Sequence, residues 1–373
     1  MLKKICLLFG AILISANVVL SNTRFVNSVF NDVDTIKKIY FQSAINYLGV
    51  SDSLFIDFYS PKNDTMKHRP LVIIIHGGSF LTGTRDDAFC VTTAADFAKR
   101  GFNAASINYR IGLDETQALV PGGMQYQFSA AAYRAIQDTK AAVKFLKKNS
   151  NVYKVDTNHV YLCGYSAGAV TAIHYAHMQP NEFASIADTT GLGFMEDNDL
   201  SVSSKINGYV SFAGAIFDTS WIEKDDVPFI SFHGTKDKTL PYDKGNAFSL
   251  PIMPYLYGSS SIHISADQKN ITNKLVSYID ETHDFVSTPN LLNASLDTAA
   301  LFLATLMSTS SVKQPIISSK LKVNENKGMY FARGTYNLNG RKLSTTIRAS
   351  DGIYITNYKR VKSFDKKDFI EIK

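Results

Sequence analysis

His159-Val160-Tyr161-Leu162-Cys163-Gly164-Tyr165-Ser166-Ala167-Gly168 is a short apolar run that ends in Gly-x-Ser-x-Gly. Its first half reads as a buried strand, and the small residues after Ser166 read as the start of a helix. A serine at such a strand-to-helix turn has the sequence form of a nucleophile elbow, a strained turn that holds a hydroxyl out over a sheet edge. Gly164 and Gly168 flank the serine where a β-carbon would collide with the neighbouring strand or helix, and glycine tolerates the unusual backbone. Gly-x-Ser-x-Gly alone is a weak signal, so its weight depends on its surroundings.

Working outward, the pattern is one of strands alternating with helices. Pro70 to Ile75 is a continuous aliphatic run typical of a strand buried on both faces, and Phe102 to Tyr109 is a second. Asp86 to Arg100 reads as a helix, as does Tyr133 to Asn149 with Ala135, Ala142, Val143 and Leu146 on one face. Gly208 to Ala213, Phe229 to Phe232 and Leu275 to Ile279 are short apolar strands, and Leu291 to Met307 reads as a closing helix. Ile39 to Ser60 has the texture of a hairpin closing one sheet edge. The sum is an α/β chain with a mostly parallel sheet covered on both faces. Gly112 to Phe128 and Ser249 to Asn270 fit the pattern poorly and are expected to be long loops walling a cleft.

A serine hydroxyl is a poor nucleophile until a histidine takes its proton and an acid orients that histidine. Two strand ends downstream of Ser166 offer these groups. Phe229-Ile230-Ser231-Phe232-His233-Gly234-Thr235-Lys236-Asp237 delivers an aspartate on a loop, and Leu275-Val276-Ser277-Tyr278-Ile279-Asp280-Glu281-Thr282-His283 delivers a histidine. Asp280 and Glu281 compete as acids but sit close along the chain to His283. His233 and His263 compete as bases; His233 is expected to hydrogen-bond within its own loop. His68, His159, His174 and His177 read as surface or packing residues. Donors for an oxyanion would come from the backbone N–H of Ala167 and from the turn His76-Gly77-Gly78-Ser79 after the first buried strand.

The 373 residues, 45% hydrophobic and 19% charged, suit one large domain with a small appendage. Lys3 and Lys4 precede an apolar run from Ile5 to Leu20, with Ala16 and Ser21 near a cleavage point, so residues 1–21 are expected to be a signal peptide. That run is too short and too lightly flanked for a stable membrane span, and Cys6 lies at its start, so no lipid anchor is expected. Cys90 and Cys163 have no metal or redox spacing, and Cys163 reads as a buried thiol. The net charge of +6 divides unevenly: residues 313–373 carry fourteen Lys/Arg against five Asp/Glu, and the rest twenty-five against twenty-eight. The boundary is therefore set near residue 312, giving a catalytic domain over 22–312 and a small β-rich module over 313–373. The basic charges of that module are scattered among strand-like residues, which reads as a solvated face and not a nucleic-acid site.

The landmarks Ile56-Asp57-Phe58-Tyr59-Ser60-Pro61, His76-Gly77-Gly78-Ser79-Phe80, Ser106-Ile107-Asn108-Tyr109-Arg110, Val155-Asp156, Gly164-Tyr165-Ser166-Ala167-Gly168, His233-Gly234-Thr235-Lys236-Asp237 and His283 together resemble the carboxylesterase and lipase branch of the α/β-hydrolase fold, specifically bacterial esterases with a His-Gly-Gly loop. The likeness covers about residues 40–310, and its triad members follow in the order serine, acid, histidine. It implies Ser166 as nucleophile, His283 as base and Asp237 as orienting acid, with Gly78, Ser79 and Ala167 forming the oxyanion hole and no metal or organic cofactor. The chain departs from the family at Ser79, where many members have a third glycine, and in lacking glycine before His283. Gly334-Thr335-Tyr336-Asn337-Leu338-Asn339-Gly340 and Asp351-Gly352-Ile353-Tyr354-Ile355 resemble the small sorting domains of type IX secretion in Bacteroidota; a carbohydrate-binding or packing module is the alternative. The resemblance implies a secreted or surface-delivered serine esterase acting on small-molecule or polysaccharide esters, with the secretion machinery as partner of the tail. A peptidase on the same fold and a non-catalytic adhesion protein are the rivals.

Overall fold

The computed structural model describes residues 24–183, 191–196 and 201–310, with the backbone of three short strands beyond them. The signal peptide expected over 1–21 and most of the 313–373 module lie outside the described residues. Eight strands form the body of one sheet: β1 (Val33–Ile45), β2 (Ser51–Pro61), β3 (Arg69–Ile75), β4 (Asn103–Ile107), β5 (Val155–Tyr165), β6 (Gly208–Phe212), β8 (Phe229–Gly234) and β11 (Asn273–Tyr278). Their order is β1-β2-β4-β3-β5-β6-β8-β11, and Ile353–Ile355 adds a ninth strand antiparallel to β11. β1 and β2 form the expected antiparallel hairpin, β2 is antiparallel to β4, and every later pairing from β4 to β11 is parallel. β7 (Ala215–Ile216), β9 (Lys244–Asn246) and β10 (Tyr255–Gly258) make a separate small antiparallel sheet. In the tail, Thr335–Tyr336 pairs antiparallel with Lys342–Leu343 across the Asn-Gly segment.

The sheet divides the core in two, as strand geometry requires. On β3, Leu71, Ile73 and Ile75 face one layer while Val72 and Ile74 face the other; on β5, Val160 and Leu162 oppose Tyr161 and Cys163. Helices α2 (Gly123–Lys148) and α3 (Ala167–His177) cover the first face through Ala131, Ala135, Val143, Val170 and Ile173. Helices α1 (Ala88–Lys99) and α5 (Pro289–Ser310) cover the second through Phe97, Leu292, Leu296, Ala300 and Leu303. Helix α5 is long and apolar enough to cross a bilayer, yet this row of side chains is spent on the sheet. This is the α/β-hydrolase fold, with a mostly parallel sheet and helices on both faces.

Two segments expected to be long loops are largely regular. Gly112 to Phe128 contains a short turn of helix at Glu115–Ala118, capped by Asp114, and the first turns of α2. Residues 127–136 of α2 are all buried, polar Gln127, Ser129 and Arg134 among them, so no exposed face marks the helical period there. Ser249 to Asn270 contains β10 and helix α4 (Ser259–Gln268). Its serines and β-branched residues are poor helix formers, and tertiary packing of Ile262, His263 and Ala266 supports it instead. His263 is thus a core residue, with Nδ1 bonded to Asn273 Oδ1.

Arg110, just past β4, ties the hairpin edge to α2. Its backbone N–H and Nε donate to Asp138 Oδ2 at 2.7 and 2.9 Å, Nη1 reaches the Ile45 carbonyl at 2.8 Å and Nη2 reaches Gln137 Oε1 at 2.8 Å. Asp138 is fully buried and also accepts from Gln42 at 2.9 Å. Asp138→Ala leaves the guanidinium buried without a counter-charge, so urea unfolding should show a loss of roughly 3–5 kcal/mol. A loss under about 1 kcal/mol would mean that the pair is solvated.

Candidate active site

The serine expected as nucleophile is held by the end of β5 and the start of α3. Ser166 has φ 54° and ψ −120°, outside the regions open to most L-residues, at a cost of about 1–3 kcal/mol. The Ser166 N–H donates to the Phe212 carbonyl at 2.9 Å, and its own carbonyl accepts the N–H of Val170 at 2.9 Å, so both sides of the strained residue are pinned. The flanking glycines are steric necessities. A β-carbon at Gly164 would stand 2.1 Å from the Gly168 carbonyl oxygen, and one at Gly168 would stand 2.1 Å from that of Ile75.

The structure brings Ser166, His283 and Asp237 together. His283 Nε2 lies 2.8 Å from Ser166 Oγ across 117 residues of chain, and His283 Nδ1 lies 2.6 Å from Asp237 Oδ2. All three are buried, with 6%, 8% and 8% of the surface of Ser166, Asp237 and His283 exposed. The loops after β8 and β11 interlock by backbone bonds: Thr235 N–H to the Tyr278 carbonyl at 3.0 Å and Lys236 N–H to that of Glu281 at 2.9 Å. Gly234 permits this approach, since a β-carbon there would lie 2.4 Å from the carbonyls of Glu281 and Thr282. Of the competing acids, Asp280 is exposed and paired with Lys236 at 2.9 Å, while Glu281 contributes its carbonyl.

His233 does more than bond within its loop. Its Nε2 lies 3.0 Å from Asp237 Oδ2, and its Nδ1 lies 2.8 Å from Ser259 Oγ on α4. The sequence signal was its position at the strand end, four residues before the acid. Asp237 Oδ1 accepts the N–H groups of Thr239 and Leu240 at 2.8 and 3.0 Å. The histidines read as packing residues stay away from the triad. His177 makes a base–acid pair of its own with Asp226 at 2.7 Å, but the far nitrogen meets Tyr209 Oη at 2.8 Å, not a nucleophile. His174 accepts the Phe217 N–H at 3.2 Å.

The turn after β3 packs against the elbow: a β-carbon at Gly77 would lie 3.3 Å from Ser166 Cβ. Gly78 (φ 101°), Ser79 (φ 56°) and Phe80 (φ 62°) are all left-handed, and a β-carbon at Gly78 would meet the Thr82 carbonyl oxygen at 2.2 Å. The Gly77 carbonyl takes hydrogen bonds from Tyr109 Oη at 3.2 Å and from His76 Nδ1 at 2.8 Å, both within the core. Carbonyl and N–H of one trans peptide point in opposite directions, so the Gly78 N–H is turned away from that core. Tyr109, stacked on His76 with ring centroids 4.2 Å apart, is therefore an orienting residue whose role the sequence reading did not see. Burial pushes the His76 imidazole pKa down, keeping the ring neutral. Ala167 is the first residue of α3, where an N–H has no intrahelical acceptor.

A cavity of about 440 Å³ lies beside the acid loop, lined by Asp237, Lys238, Tyr242, Asp243, Lys244 and Asn246 among others. A separate cavity of about 300 Å³, bordered by Arg110, Gln137 and Lys140, shares no residue with the triad. Among the described residues no cluster of three or more His, Cys, Asp or Glu could hold a metal ion, and Cys90 and Cys163 are buried free thiols.

An elbow serine hydrogen-bonded to a histidine and acid at strand ends of an α/β-hydrolase sheet defines the class. Residues 56–216 match the BD-FAE family model. Esterase FE4 of Myzus persicae is 27% identical over 150 residues, 38% of this chain and 24% of that protein. Juvenile hormone esterase of Tribolium castaneum is 25% identical over 134 residues, 36% and 21% of the two chains. Neuroligin-like protein glit-1 of Caenorhabditis elegans is 25% identical over 150 residues, 40% and 19%. The matched stretch thus spans about a fifth to a quarter of these relatives. Among solved structures, the propionate-bound thermophilic esterase Est2 of Thermogutta terrifontis superposes with a TM-score of 0.52 at 19% identity, covering 71% of this chain and 94% of that one. At that identity the likeness is one of fold. Together the BD-FAE match and the esterase relatives support a carboxylesterase family.

Burial alone would raise the Asp237 pKa, but the hydrogen bonds from His233 and His283 outweigh it and hold the carboxyl well below the usual carboxylate range. Such a group contributes stability in full above its unfolded value, about 4, and loses it as the pH falls through the folded value. Asp237→Asn should therefore be less stable at neutral pH and lose less further stability than the parent protein between about pH 4 and 2. Equal acid slopes for the two proteins in denaturant titrations would contradict the pairing.

Proposed function

We propose that this protein is a serine carboxylic ester hydrolase that works through an acyl-enzyme. The observation that carries the reading is the row of hydrogen bonds from Asp237 through His283 to Ser166, at 2.6 and 2.8 Å. His283 Nε2 takes the Ser166 proton as Oγ attacks the ester carbonyl, and Asp237 stabilises the imidazolium that forms. The N–H groups of Ala167 and Gly78, with Ser79 beside them, take up the negative charge developing on the carbonyl oxygen. His283 then returns the proton to the leaving alcohol, and the same histidine activates a water to release the acid. Acylated or feruloylated carbohydrate esters are the substrate class proposed, on the family match of residues 56–216 and the expected export.

With the leader over 1–21 and the module over 313–373, the enzyme is exported, and the module addresses it to the secretion machinery. The esterase reading is favoured over a peptidase by the esterase relatives, and over a non-catalytic adhesion protein by the presence of all three triad residues.

Ser166→Ala is expected to lower kcat on p-nitrophenyl acetate by about 10⁴–10⁶-fold with folding unchanged. Turnover that survives the substitution would remove the serine from the mechanism. Deleting residues 313–373 also strips the edge strand Ile353–Ile355 from β11. Hydrolysis that stays intact in the purified protein while surface delivery is abolished in the producing cell is the expected outcome; loss of soluble folding or of activity would instead assign the segment a structural role.

A further inference from the structure

Two imidazoles address the acid. His233 Nε2 is 3.0 Å from Asp237 Oδ2, the same oxygen that meets His283 Nδ1 at 2.6 Å. His233 is fully buried, its Nε2 is also 3.3 Å from the Leu240 carbonyl, and its Nδ1 is 2.8 Å from Ser259 Oγ. A carboxylate and a carbonyl can only accept, so Nε2 carries the proton; the Ser259 hydroxyl can donate to Nδ1, which suits a neutral ring. With Oδ1 on the amides of Thr239 and Leu240, Asp237 is fixed at both oxygens by its own side of the site before His283 is counted.

Resting on the serine-hydrolase reading, we propose that His233 is a positioning residue that locks the Asp237 carboxylate and, by sharing Oδ2, limits how strongly the acid favours the protonated form of the base. Two donors on one oxygen divide its negative potential. A neutral donor and a protonated one act with the same sign, since each draws charge from Oδ2. Removing the donor strengthens the hold of Asp237 on a protonated His283, and the acid limb of kcat/KM moves to higher pH because the base must be free to accept. The other ionisable groups facing these residues are Tyr165 and Asp284 beside His283, Tyr242 edge-on to His233 at 5.6 Å, Lys238 by the cavity, and the exposed Lys236–Asp280 pair. None changes in the variants below, so a shift belongs to His233.

His233→Phe keeps an aromatic ring and removes the donor, whereas His233→Gln keeps an N–H near the Nε2 position. We expect the acid limb on p-nitrophenyl acetate to rise by roughly half a unit to one unit in His233→Phe and to stay at the parent position in His233→Gln. The pH dependence of Ser166 labelling by an organophosphonate should move in the same way and needs no ester turnover. An unmoved limb in folded His233→Phe, or equal shifts in both variants, overturns the proposal. Should His233→Phe not fold, ¹⁵N NMR of the histidines in the full parent chain decides: a proton on His233 Nε2 supports the proposal and one on Nδ1 overturns it. Absence of Ser166-dependent turnover on any ester would count against the hydrolase reading alone, because labelling and tautomer still report on His233.

Discussion

The catalytic end of the molecule depends on how closely helix α3 approaches the end of strand β3. A β-carbon at Gly168 would sit 2.1 Å from the carbonyl oxygen of Ile75 and 2.7 Å from that of His76. Nothing larger than hydrogen fits, so the helix lies directly on the strand from which the His76–Phe80 turn springs. That contact sets the spacing between the Ser166 hydroxyl and the amides of the turn, because β5 and β3 are neighbours in register, Ile75 opposite Gly164. The strain at Ser166 is affordable only because both adjoining elements are fully packed: β3 is buried throughout, as are Ala169, Val170 and Ile173 of α3.

A second constraint holds the acid and base. Neighbouring parallel strands deliver their carboxyl ends to the same edge, and β8 and β11 pair with Gly234 opposite Tyr278. The loops that follow start side by side, so a base remote in sequence from the nucleophile is placed by sheet register and not by a long flexible search. The close-approach glycine here is Gly234 on the acid strand. The glycine missing before His283 is therefore no obstacle: Asp280 takes the left-handed turn on the base side at φ 63°, with its N–H on Thr235 Oγ1 at 2.9 Å.

Legibility in the sequence followed burial. Strand β3, the Val160–Gly164 half of β5 and strand β8 are enclosed on both faces, which forces largely apolar runs. These end where the His76 turn, the elbow and the Asp237 loop begin, so those segments stand out in the sequence; β11, before His283, is only half-buried. The first turns of α2 and the whole of α4 were missed for opposite reasons. One is enclosed over residues 127–136 and loses its amphipathic period there, while the other is built from residues of low helix propensity held by tertiary contact. The strand-end position of His233 was legible but its contacts, like those of Tyr109, were not, because they depend on which oxygen a ring nitrogen or phenol reaches in space, and no periodicity encodes that.

The residues adjoining the triad along the chain complete its rigidity. Tyr165, just before the nucleophile, donates its hydroxyl to Asp284 Oδ1 at 2.8 Å, and Asp284 is the residue just after the base. The Tyr165 ring lies 5.3 Å from that of His283, and its Cδ1 lies 3.2 Å from where a β-carbon of Gly77 would stand. One side chain thus touches the elbow, the His76–Phe80 turn and the loop that carries His283. Burial, then the hydrogen bond to Asp284, pushes the Tyr165 phenol pKa well above its ordinary value, so the donor keeps its proton wherever His283 is free to act as a base. The strap joining the elbow to the loop of His283 therefore keeps its donor proton as the pH rises, which separates the scaffold of the site from its chemistry.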